Sequence, residues 1–385
     1  MYVTDVQFVY TLFQHRGEKT PKPLISGISD GDNYYLLKMF MPGTGISLYE
    51  AEENKQRLAK LFEQEIYVNS LKDHLWALGL PLLAEYNAWT FQSSLETSNG
   101  IEDAEAIITK NLIIMGSRRP QKWERVLSDA SAVYQDIQNR GVYVGYEKKM
   151  PIYDFTITGR SKTSGFNIQG MTSDTDIRII PYSEDIFVHL DWMGADIRAC
   201  SIMSGDAEME EAFLTSDPYT KLASELNDIS REDIKLEMLE SIYSLNHDSP
   251  VVEYYKDFQK WMVSTIDKMD QHGYTHSILG RQFSLDDQKA RKTVFNACIQ
   301  GTVAHAMQNV ISRMYLIFPE CVLTEVHDSV VLQCHPQVVS NIVDKAVQIM
   351  LRPFEGLLKS NPVFPVKVSI GKRWRQWKKY REFRK

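Results

Sequence analysis

Residues 321–334, CVLTEVHDSVVLQC, place a histidine and an aspartate between two runs of mostly apolar and β-branched residues. The flanking runs have the composition of short strands, so His327, Asp328 and Ser329 are predicted to lie at the turn of a β-hairpin. Aspartate is common in turns because its carboxylate accepts hydrogen bonds from nearby backbone amides. A turn alone explains Asp328, and a metal-binding or catalytic role needs support from the rest of the chain.

The composition is typical of a folded protein with room for two or three domains: 385 residues, 43% hydrophobic and 11% aromatic. No apolar run approaches a membrane span, and the N-terminus lacks a basic region followed by an apolar core. We therefore expect a soluble, unexported protein of the cytoplasm of a bacterial or phage-infected cell. The cysteines are widely spaced and form no C-x-x-C pair, so they are predicted to be buried thiols; they are Cys200, Cys298, Cys321 and Cys334.

Charge is unevenly distributed along the chain. The net charge is −7, yet the last fifteen residues, GKRWRQWKKYREFRK, hold eight Lys or Arg and one Glu, which leaves −14 on the remainder. A basic, aromatic tail on an acidic body is able to reach nucleic acid phosphates. A solvated, partly helical tail explains the same composition equally well.

Short strand-like and helical runs alternate over residues 1–115, which predicts an α/β domain. Helical spacing in QKWERVLSDASAVYQDIQNR predicts a helix, and GVYVGY predicts a strand after it. Further on, IFVHLDW, residues 186–192, reads as a buried strand that carries Asp191 near its end. Asp191 and Asp328 are thus both strand-borne acids, but their spacing in sequence does not establish that they meet.

Six segments after residue 120 occur in one order: TGRSKTSGFNIQG, LDWMGADIRACSIMSGD, SREDIKLEMLESIY, GYTHSILGRQFSL, FNACIQGTVAHAMQ and TEVHDSVV. In that order and approximate spacing they resemble the family A DNA polymerases, the DNA polymerase I family, over roughly residues 120–375. Each segment is weak evidence, and the joint match is specific. The resemblance implies an α+β fold with a right-hand polymerase palm and fingers, preceded by a degenerate 3′–5′ exonuclease-like α/β domain.

The resemblance also implies domain boundaries. We expect an exonuclease-like, inactive α/β domain at 1–115, a connector with a reduced or absent thumb at 116–157, palm at 158–220, fingers at 221–290, palm at 291–374 and a basic tail at 375–385. Between GVYVGY and TGR only EKKMPIYDFTI intervenes, which is too short for two long helices. We therefore expect low processivity without a substitute for the missing clamp.

The first domain has one exonuclease-like spacing, N-x-x-x-D, at Asn69 and Asp73. The first strand offers Asp5, but Gln7 occupies the position of the second carboxylate. Two-metal hydrolysis needs both acids, so the domain is interpreted as a vestigial exonuclease. An unrelated α/β scaffold remains an alternative.

By the resemblance, Asp191 and Asp328 are the catalytic acids and the ligands of two Mg²⁺ ions. Carboxylates suit hard cations, and two such ions stabilise both the attacking and the leaving oxygen of an in-line displacement at phosphorus. The position after Asp328 is usually glutamate in these polymerases, and here it is Ser329. The triplet HDS is the form seen in single-subunit phage RNA polymerases.

A nucleotide-binding helix is predicted from Ser230 onward, with Ser230 as N-cap and Asp233 at the third helical position. Four side chains then follow at i+4 steps: Arg231, Lys235, Leu239 and Tyr243. This stripe of about 18 Å is able to span a triphosphate and a base, and the helix N-terminus adds to the attraction. The resemblance places an aromatic residue where Leu239 stands.

Asp196 replaces the glutamate that crowds the 2′ position of the sugar in the resembled family. One methylene less of bulk is worth about 1–3 kcal/mol of selectivity, so ribonucleotide exclusion is expected to be weaker. The resemblance further implies a surface that holds the primer–template near the primer end. Its predicted residues are Arg160, Asn167, Gln169, Arg281, Asn296, Gln300 and His327; for each, a structural role in a loop is the alternative.

The sequence thus predicts a template-directed, primer-extending DNA polymerase, serving a phage or mobile replicon. Its partners would be primer–template DNA, dNTPs and a processivity factor, helicase or primase, with no membrane. One alternative is a polymerase on the same fold that makes RNA or primers, which Asp196, Leu239 and Ser329 favour. Another is a catalytically inactive nucleic-acid-binding replication subunit, which the joint retention of the acids and of the helix stripe disfavours.

Overall fold

The computed structural model describes six strands within residues 6–98, and then residues 121–384 except for 172–178, 227–228 and 286–289. The chain divides into two compact units, residues 1–139 and residues 140–385. In the part that is described, no helix combines the length and the apolar composition needed to cross a membrane.

The described residues of the first unit form a mixed β-sheet and a long helix. Its strands are β1 Val6–Phe13, β2 Lys22–Ser29, β3 Tyr34–Leu36, β4 Ile66–Val68, β5 Ala88–Thr90 and β6 Thr97–Ser98. The strand order is β3-β2-β1-β4-β5, and β1 pairs antiparallel with β2 but parallel with β4 and β6. Helix α1, Lys122–Arg140, follows the predicted helical spacing. Asn69 and Asp73 lie outside the described residues, as does Asp5, so the exonuclease interpretation stays a prediction.

The second unit combines helices with an antiparallel sheet, which agrees with the mixed class predicted. Its first elements are β7 Val142–Val144, β8 Glu147–Lys149, β9 Pro151–Phe155, β10 Ser161–Gly165, β11 Ile186–Trp192, α2 Ala195–Ser204, α3 Ala207–Thr215, α4 Pro218–Glu225, α5 Arg231–Ser244, α6 Pro250–Tyr254 and α7 Lys256–His272. The rest are β12 Tyr274–His276, β13 Gln282–Ser284, α8 Arg291–Ile317, β14 Val322–Val326, β15 Ser329–Cys334, α9 Val339–Leu351, β16 Val366–Gly371 and β17 Lys378–Phe383.

The central sheet has the order β14-β15-β11-β16-β17, and every neighbouring pair is antiparallel. Strand β11 lies in the middle, and Phe187, Val188 and Leu190 are fully buried there, as its continuous apolar composition predicts. Helix α9 packs against β11 and β16. The sheet therefore gives β11, and the acid near its end, a rigid setting.

The predicted hairpin is confirmed: β14 and β15 pair antiparallel, and only His327 and Asp328 lie between them. The backbone φ of His327 is +60°, a conformation that two-residue hairpin loops require at their first position. Three of the four cysteines are buried free thiols, as predicted, and Cys321 is half-buried.

The hairpin β7–β8 and strand β9 lie in the segment 116–157, where a reduced or absent thumb was predicted, and β10, which pairs with β9, follows it. Gly141, between α1 and β7, has a φ of +64°, and a Cβ there would lie 2.6 Å from the carbonyl oxygen of Lys149. Only glycine fits this start of the first hairpin, because both the backbone conformation and the space exclude a side chain.

The basic tail contains a strand, so the partly helical alternative does not hold for residues 378–383. Residues 378–383 form β17, the edge strand of the central sheet, paired with β16. Before it, the Trp377 ring stacks on His189 with the centroids 4.1 Å apart, and Trp374 meets Phe187 edge to face. Lysine and arginine suit an exposed sheet edge because they discourage pairing with another chain, so the basic composition fits a strand as well as a tail.

Candidate active site

The central sheet brings the two predicted acids to adjacent strand ends. Asp191 lies opposite Ser329 in the β11–β15 pairing, so it is next to the hairpin turn that carries Asp328. The backbone N–H of Trp192 donates to the carbonyl oxygen of Asp328 at 3.3 Å. The tertiary pairing of β11 with β15 therefore joins two acids that are far apart in sequence.

The two carboxylates are held in an environment that disfavours their charge. Burial, and after it the charge of Asp328, raise the pKa of Asp191 to about 7, although the charges of Lys367 and Lys235 act to lower it. Burial is also the main cause of the raised pKa of Asp328. Two carboxylates that repel each other out of water gain from a cation between them.

The carboxylates of Asp191 and Asp328 suit a divalent cation whose other ligands come from a substrate. Among the residues that the structure describes, no group of three or more His, Cys, Asp or Glu side chains is placed to hold a metal. Mg²⁺ commonly binds through one or two carboxylates plus substrate phosphates and water, rather than through a complete protein cage. Asp191 and Asp328 alone therefore match the protein's share of such a site.

Asp196, in the first turn of α2, joins two other predicted site residues. Arg160 donates from Nη2 to Asp196 Oδ1 at 2.8 Å, and the hydroxyl of Tyr243 donates to Oδ2 in a very short bond. Burial and the Asp196 charge both raise the pKa of Tyr243, so the phenol stays protonated. Both carboxylate oxygens of Asp196 are thus fixed by partners from β9–β10 and α5.

Helix α5 begins as the sequence predicts. Ser230 is its N-cap: the hydroxyl oxygen accepts from the Asp233 backbone N–H at 3.1 Å and donates to the Asp233 carboxylate at 2.6 Å. The helix buries Ile234, Met238 and Ile242. The predicted stripe lies beside this buried face, with Arg231 exposed and with Lys235, Leu239 and Tyr243 half-buried.

The stripe meets the acids at two of its four positions. The charge of Lys235 acts on Asp191, and Tyr243 bonds Asp196. Arg231 instead donates to Asp217 from Nε at 2.9 Å and from Nη2 at 3.0 Å. Leu239, the remaining position of the stripe, has an apolar, half-buried side chain.

Four predicted primer–template residues lie at or near this cluster with exposed or half-buried side chains. Arg160 contacts Asp196, and Asn296 donates from Nδ2 to the carbonyl oxygen of Tyr243 at 3.2 Å. Gln300 is half-buried one turn further along α8, and His327 is exposed at the hairpin turn.

The other three predicted residues make contacts within the fold, and their DNA-binding role stays a prediction. Gln169 is 6% exposed and donates to Ser161 Oγ and to the carbonyl oxygen of Glu325. Arg281 is 7% exposed and donates to the carbonyl oxygen of Ile157, so it supports the turn that presents Arg160. Asn167 is exposed, but its Oδ1 accepts from Thr163 Oγ1 and Gly170 N and so caps a loop.

Two charged residues near the acids were not predicted from the sequence. Lys367 in β16 pairs in register with Asp191, which places the two on the same face of the sheet. Glu325 is buried three residues before Asp328, burial raises its pKa well above the usual range, and it accepts a bond from Ser161 Oγ at 2.9 Å. The alternation in VKVSIG predicts a strand with Lys367 on its polar face. Only the pairing of β16 with β11 shows that Lys367 lies beside Asp191.

Comparison with known proteins gives one consistent family. Residues 250–376 match the model of DNA polymerase family A. The thermostable DNA polymerase I of Thermus aquaticus is 24% identical over 263 residues, which cover 57% of this chain and 31% of that protein. The corresponding protein of Thermus thermophilus gives the same identity and coverage. The chain thus spans less than a third of the length of these curated relatives.

Solved structures agree at the level of the fold. The polymerase domain of Pol1 from M. smegmatis, in complex with DNA primer-template and dNTP, superposes with a TM-score of 0.51 and 16% sequence identity. The match covers 84% of this chain and 64% of that one. The family match over residues 250–376 and the two relatives thus agree in one family, and the solved structure agrees in its fold: part of the chain is similar to DNA polymerase family A.

Proposed function

We propose that the chain is a template-directed, primer-extending DNA polymerase that works by two-metal-ion nucleotidyl transfer. The observation that carries the proposal is the placement of the Asp191 and Asp328 carboxylates at adjacent strand ends, within range of Lys235 on α5. Its relatives are DNA polymerases, and the M. smegmatis neighbour was solved with primer-template and dNTP, which supports the same substrates here.

The residues of the chain divide the work in this proposal. Asp191 and Asp328 would hold two Mg²⁺ ions, which when bound stabilise charge on the attacking 3′ oxygen and on the leaving pyrophosphate. Lys235 and the N-terminal end of α5 would attract the triphosphate, because both are electropositive. Asp196, fixed by Arg160 and Tyr243, would border the sugar.

The primer–template would lie over Arg160, Asn296, Gln300 and His327. Arg160 and the two amides carry donors suited to minor-groove acceptors that all base pairs share, so they check pair geometry without reading sequence. The segment 142–165 offers two hairpins and no long helical clamp. We therefore propose low processivity, which an accessory factor or the basic residues of β17 would raise.

Primer extension on a defined template tests the proposed activity directly. With Mg²⁺ we expect template-dependent addition of deoxynucleotides to the primer, and chelation by EDTA is expected to abolish it because the two acids alone leave the reacting oxygens unstabilised. Product made from ribonucleotides without a primer would instead support an RNA- or primer-making enzyme. Absence of extension with either nucleotide pool, together with retained DNA binding, would support an inactive binding subunit.

Restoring the glutamate side chain at position 196 is expected to sharpen sugar selection. Asp196→Glu adds one methylene beside the sugar, so the deoxynucleotide-to-ribonucleotide ratio of kcat/KM should rise by about tenfold or more. Single-nucleotide incorporation with each sugar measures this ratio. Asp248→Glu is the matched control, because Asp248 is 76% exposed and pairs with its neighbour His247. An unchanged ratio in Asp196→Glu would remove Asp196 from sugar selection.

A further inference from the structure

The guanidinium of Arg231 is fully engaged by carboxylates. Besides the two bonds to Asp217, Nη1 donates to Glu232 Oε1 at 2.5 Å. The guanidinium carbon lies 5.2 Å from the centroid of the Tyr219 ring, over its face. The group proposed for triphosphate binding is thus held by anions and an aromatic ring of the chain itself.

Two of the residues that hold Arg231, Asp217 and Tyr219, have fixed positions in the fold. Asp217 is the N-cap of α4, where Oδ2 accepts from Thr220 N at 2.9 Å and from Thr220 Oγ1 at 2.7 Å. Tyr219 is 5% exposed, so its ring is fixed by packing. By contrast, Glu232 is 70% exposed and weakly constrained. Asp217 is therefore the stronger of the two carboxylate partners.

The neighbouring position of the stripe has a different environment. Lys235 lies one turn further along α5, about 6 Å away along the axis, and its charge acts on Asp191. A triphosphate that starts at the acids would meet Lys235 and then Arg231. Asp217 occupies the Nε–Nη2 edge of the guanidinium and Glu232 accepts from Nη1, so a phosphate takes the parallel N–H pair of that edge only by displacing Asp217.

We infer that Asp217 is a positioning residue that competes with the incoming triphosphate for the guanidinium of Arg231 and thereby sets nucleotide affinity. The inference rests on the proposed function, since it deepens the role of the nucleotide-binding helix. Without nucleotide, the Asp217 carboxylate neutralises Arg231 and ties the start of α4 to the start of α5. With nucleotide, the bidentate pair exchanges for a phosphate, and Asp217 keeps its bonds to Thr220.

Asp217→Asn separates competition from structure, because asparagine caps helices as well as aspartate does and has no charge. We expect the KM for the incoming deoxynucleotide to fall about fivefold, as loss of a strong exposed ion pair allows. The kcat should stay within about twofold, measured by single-nucleotide incorporation on saturating primer–template. Asp217→Ser, which also retains a capping oxygen, is the second variant and should lower KM in the same direction.

A double-mutant cycle makes the test specific to Arg231. Arg231→Ala is expected to raise KM, and adding Asp217→Asn to it should leave KM unchanged, since no guanidinium remains to compete for. Glu232→Gln should lower KM less than Asp217→Asn does. A KM that is unchanged or higher in both Asp217 variants, or an effect that persists without Arg231, would overturn the inference.

Binding of inorganic tripolyphosphate, followed by calorimetry, gives a readout that does not depend on catalysis. Asp217→Asn and Asp217→Ser should bind it about fivefold more tightly than the parent chain. If the parent chain extends no primer but the variants bind tripolyphosphate more tightly, the proposed function fails and the competition stands. If the parent extends primers and the variants bind no more tightly, the competition fails alone.

Discussion

Asp328→Asn is expected to lower the rate of nucleotide addition by on the order of 10³-fold. A metal ion contributes several kcal/mol of charge stabilisation in the transition state, and about 4 kcal/mol corresponds to that factor. The amide is close in size to the carboxylate, so the hairpin turn should be preserved. Single-turnover extension by one nucleotide, at saturating DNA and dNTP, measures the chemical step rather than binding.

The same substitution is expected to leave stability unchanged or to raise it. Burial raises the pKa of Asp328, which means that the charged carboxylate costs free energy in the fold; a neutral amide removes that cost above the ordinary pKa of aspartate. Thermal unfolding at neutral pH, without metal, checks this expectation. Asp248→Asn on the exposed loop after α5 is the matched control and should affect neither property. Activity of Asp328→Asn within tenfold of the parent would rule out the metal-ligand role.

Asp206→Ala is expected to reduce the free energy of unfolding by about 3 kcal/mol. The Asp206 side chain is 3% exposed and caps two helices at once. Its Oδ1 accepts from Met209 N at 2.9 Å in α3, and its Oδ2 accepts from Asp257 N at 3.0 Å and Phe258 N at 3.1 Å in α7. One helix cap is worth about 1 kcal/mol, and each buried donor left without an acceptor costs about 1–3 kcal/mol.

Urea unfolding of Asp206→Ala against Ser230→Ala separates a double cap from a single one. Ser230 caps α5 alone and is exposed, so its loss should cost about 1 kcal/mol. Asp206→Asn retains one acceptor oxygen and should fall between the two. If Asp206→Ala is no less stable than Ser230→Ala, the joint capping of α3 and α7 contributes nothing measurable.

Local chemistry explains why the hairpin, the capped helix and the buried strand were predicted correctly. Turn residues between two β-branched runs specify a hairpin within fourteen residues, and Ser230 with Asp233 specifies a helix start within four. Local chemistry left the structure of the tail open. Basic residues are equally compatible with a solvated tail and with an edge strand, and the pairing partner β16 is what decides between them.

The burial of Gln169 and Arg281 was not readable from the sequence, because residue type does not report burial. Both carry several donors and look suited to DNA, yet the fold uses them to support the loops around Arg160. The position of Lys367 beside the acids was not predicted, for a different reason. Its strand was readable, but its neighbour Asp191 comes from a strand far away in sequence.

The sequence by itself determined many of the local elements, the residue types of the site and, through six ordered segments, a resemblance to the family A DNA polymerases. Those properties depend on contacts between residues close in the chain and on motifs that can be recognised without knowledge of the packing. Only the tertiary structure decided that Asp191 meets Asp328, that Asp196 is shared by Arg160 and Tyr243, and that Arg231 is held by Asp217. Such pairings depend on strand register and helix packing. Both are set by contacts between buried surfaces whose residues are far apart in the chain.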